Sequence, residues 1–508
     1  MGQVSLLGTP RALDEVVAPS QDDPLARQAS AAVGGPAGRH VRLGGNWWTP
    51  LRVILAVATF CFGLGVVQKS PCVVEDWAEA ASPKAFSHMC YSDISYLYVG
   101  RGLAEGIWPY SPLSDLPPGR QPATEDEAHT LTLEYPVLTG LWMGATGLVT
   151  HLLGASPDVS DVPRGEIGAD LRVQRDGAIF WGVNAVGLFV CLLVSLTLLV
   201  KSQPRRPWEA MLIAASPSLT LAAMINWDLL ALVFVAGFIW AWASRRPVAA
   251  GVFLGLGVAT KFYPLFFLGP LFVLCLRERR LDAWVKTSAA AFVAWSLVNV
   301  PIYLWSPDAF LWFWQFNASR GPDFGSVWLV ASNYGHIASS QTINLTTVIF
   351  FGCACLAIGA LGLFAPRRPR LVQLMFLVVA SFLLVNKVYS PQYVLWLLPL
   401  AALARPRWRD LLIWQACEIF YFFAVWMHIA DFFVEAGEPD WAYALAVGVR
   451  IAGELFLVWL VVRDILFPWH DPVRADALID DPLGGILDQG IDSQASVRDV
   501  ELSGALSR

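Results

Sequence analysis

The stretch from Cys90 to Tyr110, CYSDISYLYVGRGLAEGIWPY, holds the residue types and spacing best suited to chemistry. Ser92 and Asp93 precede Tyr96, Tyr98, Leu103 and Ile107 at helix-like spacing, which predicts an amphipathic helix along a membrane surface with Ser92 as its N-cap. Asp93 would then sit at the helix N-terminus, its carboxylate held ionised by backbone N–H groups and open to an arriving hydroxyl, as a general base requires. The alternative is that Asp93 only caps the helix, and spacing alone favours the cap. Glu134-Tyr135-Pro136 closes the same loop, with Glu134 either orienting an acceptor or pairing with Arg101, or serving as an interfacial residue before a first-turn proline. In Asn226-Trp227-Asp228 the acid is either a substrate contact or an N-cap, the cap being the simpler reading.

Two lysines stand out. Lys261 lies in the middle of the apolar run between Arg246 and Arg277, where an ammonium is costly unless it meets an anion or a wet cavity. The preceding Gly255-Leu-Gly-Val-Ala-Thr has only a superficial likeness to a phosphate loop, since Phe262 follows the lysine and no strand precedes it. Gly251 and Gly255, four apart, fit close helix packing instead. Asn386-Lys-Val-Tyr-Ser-Pro-Gln-Tyr393 supplies the second lysine, Lys387. With Arg320 and His336 of the 306–341 loop, the two lysines could surround a phosphate as charge-assisted donors; the alternative is snorkelling at a helix end. Arg450 and Glu454, four apart, read as a structural pair, and Glu418 with them. Cys72 and Cys90 would pair if their loop faces an oxidising compartment, while the other six cysteines lie in apolar spans as inert thiols. No Cys/His spacing suggests a metal.

The elements that must position these groups are membrane helices. Of 508 residues 56% are hydrophobic and 15% charged, and the mean hydropathy is +0.52, which excludes a soluble enzyme with a tail. A net charge of −6 with no basic stripe makes nucleic acid an unexpected partner. Apolar segments fall at 51–67, 135–153, 178–200, 208–225, 228–243, 248–260, 262–276, 283–305, 343–364, 371–386, 393–404, 410–430 and 441–462. Clusters at Lys201–Arg206, Arg245–Arg246, Arg277–Arg280, Arg367–Arg370, Arg405–Arg409 and Arg463 mark the cytoplasmic side, which puts loops 68–134 and 306–341 outside. The 246–277 stretch then reads as a broken hairpin with Lys261, Tyr263 and Pro264 at its middle. One conflict stands: charge places both flanks of 135–153 outside, so this segment is re-entrant or a span is miscounted. If it is re-entrant, both termini are cytoplasmic. Three regions are expected: a disordered N-terminus over 1–47 without a cleavable signal, a transmembrane domain over 48–465, and a disordered acidic tail over 466–508 with no assigned chemistry. No internal repeat or matched pair of broken segments is visible, which weakens a transporter reading.

Taken together, Tyr91-Ser-Asp93, Glu134-Tyr-Pro136, Asn226-Trp-Asp228, Gly255-Leu-Gly257 with Lys261-Phe-Tyr-Pro264, and Asn386 to Tyr393 give the chain its resemblance. It resembles the GT-C class of polyprenyl-phosphate-sugar-dependent membrane glycosyltransferases, specifically the family 87 mannosyltransferases of actinobacteria. The resemblance implies an all-α polytopic bundle of about 12–13 transmembrane or re-entrant helices, with interfacial helices in the first outer loop. It also implies inverting transfer of a sugar, mannose by likeness, from a polyprenyl-monophosphate donor to a hydroxyl of a cell-envelope glycolipid outside the plasma membrane, without cofactor or metal. Asp93 takes the role of base, overturning the cap reading, and Lys261 and Lys387, with Arg320 and His336, contact the donor phosphate. Tyr91, Tyr98, Arg101, Glu134, Tyr135, Asp228, Tyr263, Tyr389 and Gln392 are the expected substrate contacts. Two rivals are a lipid or solute transporter using Lys261, Lys387 and Glu418, and a non-catalytic prenyl-phosphate-binding partner in cell-wall assembly.

Overall fold

The computed structural model describes residues 16–17, 23–32, 47–75, 77, 83–116, 121–122, 124–154, 158–434, 439–474 and 480–488. All regular elements among them are helical, as expected for an all-α polytopic membrane protein. Six are long and apolar enough to cross a bilayer: Pro50–Cys72, Leu171–Ser202, Leu281–Trp305, Ser340–Phe364, Trp408–Ile429 and Trp441–Leu466. Six shorter apolar helices lie among them, over Val137–Leu153, Asp228–Ala243, Pro247–Thr260, Tyr263–Arg277, Leu371–Val385 and Pro391–Ala404. Leu297, Leu304, Val348 and Leu356 on two of the long helices are exposed, as side chains facing hydrocarbon are.

The apolar segment expected over 208–225 is not one helix. It breaks into Pro207–Ala210, Met211–Ala214 and Pro217–Ala222, because Pro217 has no N–H to continue the ladder and Ser216 caps the next turn by accepting from Leu219 N. Its residues are largely buried, so it is an interior segment, and its end brings Met224 and Ile225 to the first loop.

Packing bears on the 135–153 conflict. The 17-residue helix Val137–Leu153 is about 26 Å long, short of a bilayer core of about 30 Å. Trp142 near its start donates to Asn184, mid-way along Leu171–Ser202, whereas Gly154 at its end abuts Asp176 near that helix's start. His151 also donates to Leu103 O of the first loop, 2.9 Å away. The helix therefore runs antiparallel to Leu171–Ser202 and returns toward the loop it came from, which fits the re-entrant reading.

Lys261 breaks the 246–277 stretch as expected: helix Pro247–Thr260 ends on an extended Lys261, and a 3₁₀ turn over Tyr263–Phe267 leads into Leu268–Arg277. A Cβ on Gly251 or Gly255 would lie 2.2 Å from the Thr287 or Ala291 carbonyl oxygen, so the glycines let the helix touch the backbone of Leu281–Trp305.

The described parts of the acidic tail are folded, contrary to the expectation of disorder. Asp471 accepts from buried Arg370 at 2.8 and 3.0 Å, Trp242 Nε1 donates to Gly484 O, and Arg368 donates to Leu487 O. The reason is charge: basic loops collected at one end of the bundle meet the tail's acids. Near the other terminus, helix Pro24–Ala32 is described, and Asp23 ahead of it accepts from Trp408 N at that same end. The rest of 1–47 and of 466–508 lies outside the described residues.

Candidate active site

Asp93 opens the short helix Asp93–Gly100, which is more buried than a surface helix: Ile94, Ser95, Leu97 and Tyr98 are all enclosed. Ser92 does not cap it with its side chain; the hydroxyl donates 2.7 Å to Met224 O, while Asp93 N donates 2.8 Å to Ile225 O. Two bonds thus pin the helix start to the interior strap ahead of Asn226. The Cys72–Cys90 disulfide is formed, with the Cα atoms 5.7 Å apart, tying the end of the first spanning helix to the loop three residues before Asp93.

The carboxylate of Asp93 is held by side chains, not by backbone N–H groups as expected. Asn226 Nδ2 donates to Oδ2 at 2.6 Å, Tyr91 Oη to Oδ1 at 2.9 Å, and Gln392 Nε2 reaches Oδ2 at 3.4 Å. Burial pushes the Asp93 carboxyl above its ordinary pKa; the Asn226 and Tyr91 hydrogen bonds and the Lys261 charge pull the other way, and Glu134 adds to the rise. Burial and the neighbouring carboxylate drive the Tyr91 phenol upward, so it stays protonated and remains a donor.

Asn226 is the hub. It donates also to Tyr135 Oη at 2.7 Å and accepts from Lys261 Nζ at 3.1 Å. Lys261 lies 3.5 Å from Asp228 Oδ1 and 4.9 Å from the centre of the Tyr135 ring. Asp228 in turn accepts from Trp396 Nε1 at 2.7 Å, and Trp396 stacks on Tyr263.

These residues face a cavity of about 630 Å³. Tyr91, Asp93, Glu134, Tyr135, Lys261, Tyr263, Arg320, Lys387 and Gln392 line it, nine of the sequence candidates in one place. Lys387 Nζ donates to Asn317 O at 2.7 Å and Asn344 Oδ1 at 2.8 Å, and among the described residues no acid pairs with it. Burial and the Arg320 charge lower its pKa, a cost that an anion in the cavity would relieve. Arg320 pairs with Asp323. Phe262, Phe266, Phe313, Phe382 and exposed Val348 make the other wall apolar.

Five candidates do not line this cavity. His336 is exposed at the end of a short helix. Tyr98 points away and stacks on Phe180, because its position on the helix faces Leu171–Ser202. Arg101 makes a bidentate pair with Glu134 at 2.8 Å and holds that loop residue in place. Asp228 sits behind Lys261. Tyr389 is buried under Arg450, 3.7 Å from its ring centre, and donates to Glu418, so this part of the 386–393 loop anchors rather than binds. Arg450 pairs with Glu454 as expected. Sequence reasoning gave Asn226 no role although it sits in a motif already singled out, and it assigned none to the cavity-lining Asn344, Tyr96, Tyr393 and Trp396. Among the described residues no cluster of three His, Cys, Asp or Glu side chains could hold a metal.

A multi-pass helical bundle with these groups facing one cavity has the makings of a membrane enzyme, and comparison shows what part of it is similar to. Residues 170–386 match the model of glycosyltransferase family 87. The matched stretch, under half of the chain, is similar to the membrane glycosyltransferase family that the motifs implied. The match takes in Asn226-Trp-Asp228 and Lys261, while Asp93 and Glu134 lie before it. No curated protein matches the chain.

Proposed function

We propose that the protein transfers a sugar, mannose by family likeness, from a polyprenyl-monophosphate donor to a hydroxyl of a cell-envelope glycolipid at the outer face of the plasma membrane. The observation that carries this is one cavity holding a carboxylate, two lysines and an apolar wall. The donor phosphate lies toward Lys387 and Lys261, and its prenyl chain runs along the phenylalanines toward lipid. Asp93 accepts the proton of the acceptor hydroxyl as its oxygen attacks the anomeric carbon. The bond from that carbon to the phosphate oxygen breaks with its electron pair on the leaving lipid phosphate, whose charge the cations stabilise, and the configuration inverts. Fixed donors around Asp93 keep the base oriented without reorganisation during the step.

The test uses full-length protein in vesicles with labelled polyprenyl-phosphate mannose and an extracted membrane glycolipid fraction. Labelled glycolipid is the expected product, and Asp93→Asn is expected to lower its rate on the order of 10²–10⁴-fold. Transfer by Asp93→Asn at the wild-type rate sinks the base assignment. Uptake of label into the lumen without transfer favours a transporter, and donor binding without turnover a non-catalytic partner.

A further inference from the structure

Lys69, at the end of the first spanning helix, is 1% exposed, and the transfer chemistry above gives it nothing to do. Its ammonium donates 3.0 Å to Met89 O and lies over the rings of Phe422 and Trp426, 5.5 and 5.7 Å from their centres. Among the described residues no carboxylate pairs with it. Glu75, the acid nearest in sequence, pairs with Lys84, and Glu418, one turn before Phe422, accepts from Tyr389 and Trp414. A buried ammonium left with one carbonyl and two rings is costly, and an apolar side chain of similar length would fill the same space without that cost. Stability alone does not account for a lysine here.

What surrounds Lys69 is the support of Asp93. Met89, whose carbonyl it holds, has φ +56°, a left-handed backbone that a residue with a side chain adopts only under constraint. Gln68 donates to the same carbonyl at 2.7 Å, and the next residue, Cys90, is bonded to Cys72. The turn so fixed leads into Tyr91, whose phenol donates to Asp93 and whose ring packs 5.3 Å from Trp426, the ring that Lys69 faces. Asp93 is the carboxylate whose charge reaches the ammonium. The other titratable groups facing Asp93 are Tyr91, Glu134 and Tyr135 of the first loop, Lys261 of the broken hairpin and Tyr393 of the 386–393 loop. Tyr96, Tyr263, Arg320, Asp323 and Lys387 share a cavity with it. Lys69 differs from these cavity groups in lining neither the 630 Å³ cavity nor a second one, of about 320 Å³, that also reaches Asp93. It is out of a substrate's reach, so its effect passes through the base.

We propose that Lys69 is a positioning residue for Asp93: it pins the Met89 turn that presents the carboxylate and supplies, from behind Trp426 and Tyr91, a fixed positive charge that favours the ionised base. This rests on the reading of Asp93 as the base and adds a group that tunes it without touching either substrate.

The experiment compares the pH profile of kcat/KM with thermal unfolding, using the full-length protein in vesicles, polyprenyl-phosphate mannose as donor and the extracted membrane glycolipid fraction as acceptor. Lys69→Met removes the charge and one donor to Met89 O. It is expected to lower kcat on the order of tenfold with donor KM unchanged. Loss of a nearby positive charge raises a carboxyl pKa, so the acid limb should move to higher pH by about half a unit or more. The unfolding temperature should hold or rise, since an uncompensated buried charge is gone. Lys69→Arg keeps the charge, and Gln68→Leu removes only the neutral donor, so both should leave the limb in place. A limb that stays put in Lys69→Met, or moves as far in Gln68→Leu, overturns the proposal, and so does a lowered unfolding temperature with the limb unmoved, which is the mark of a structural lysine. A limb displaced in Lys69→Arg overturns it whatever the folding of Lys69→Met. Transfer by Asp93→Asn at the wild-type rate removes instead the base reading beneath it.

Discussion

Asp93 accepts from three side chains, and the balance between those donors and desolvation sets its behaviour with pH. In the proposed role of general base Asp93 must be ionised, so activity is expected to fall as pH drops through its folded-state pKa, which burial places above the ordinary value of about 3.9. The acid limb of kcat/KM is therefore expected above the usual carboxylate range. Asn226→Ala removes a donor that favours the ionised form, so the limb should move to higher pH; a limb that stays put would exclude Asn226 from tuning the base. The lysines should differ. Lys387→Met removes a cation that has no acid partner among the described residues, and is expected to raise donor KM about ten- to a hundredfold with little effect on the melting temperature. Lys261→Met strands buried Asp228, whose Oδ2 already lacks a partner, and is expected to destabilise by about 3–5 kcal/mol, visible in thermal unfolding.

At the level of elements, the site depends on two short helices meeting at a break. Pro247–Thr260 must stop at Lys261 and must lie against Leu281–Trp305 closely enough to aim it, and Gly255 permits that approach. Gly255→Leu is expected to cost about 1–3 kcal/mol or more and to lower transfer, while Gly269→Ala, whose Cβ meets open space, should leave both unchanged within error. The disulfide acts on the other partner in the site. Cys72 and Cys90 are 18 residues apart, so Cys72→Ser with Cys90→Ser should lower stability by about 3 kcal/mol, read as a drop in unfolding temperature that reductant produces in the wild type. The span pattern and the break at Lys261 were legible in the sequence because hydropathy and a lone ammonium are local signals. The course of Val137–Leu153 was not, since charge counting only exposed a contradiction, whereas contacts with Asn184 and Asp176 fit the re-entrant reading.

Across the whole molecule, the tail connects the basic end to the site. Arg370 begins the helix Leu371–Val385, which ends just before Asn386-Lys387, and Asp471 from the tail neutralises it. Asp471→Ala leaves a buried guanidinium without its acid and is expected to cost about 3–5 kcal/mol; unchanged unfolding would show the tail to be dispensable. Composition and motif order by themselves determined that the chain is a polytopic helical membrane protein, where its basic loops fall, and that Lys261 and Lys387 were candidates for a role, whereas Asp93 became one through the family resemblance. Those conclusions follow from the energy of placing single residues in hydrocarbon, which depends on residue type and neighbours along the chain. Only the tertiary structure decided that Asn226 joins Asp93 to Lys261, that Tyr98, Tyr389 and His336 stand apart, and that the acidic tail folds onto the bundle. Each of those depends on which face a side chain presents to a helix far away in sequence, and no local energy term encodes that.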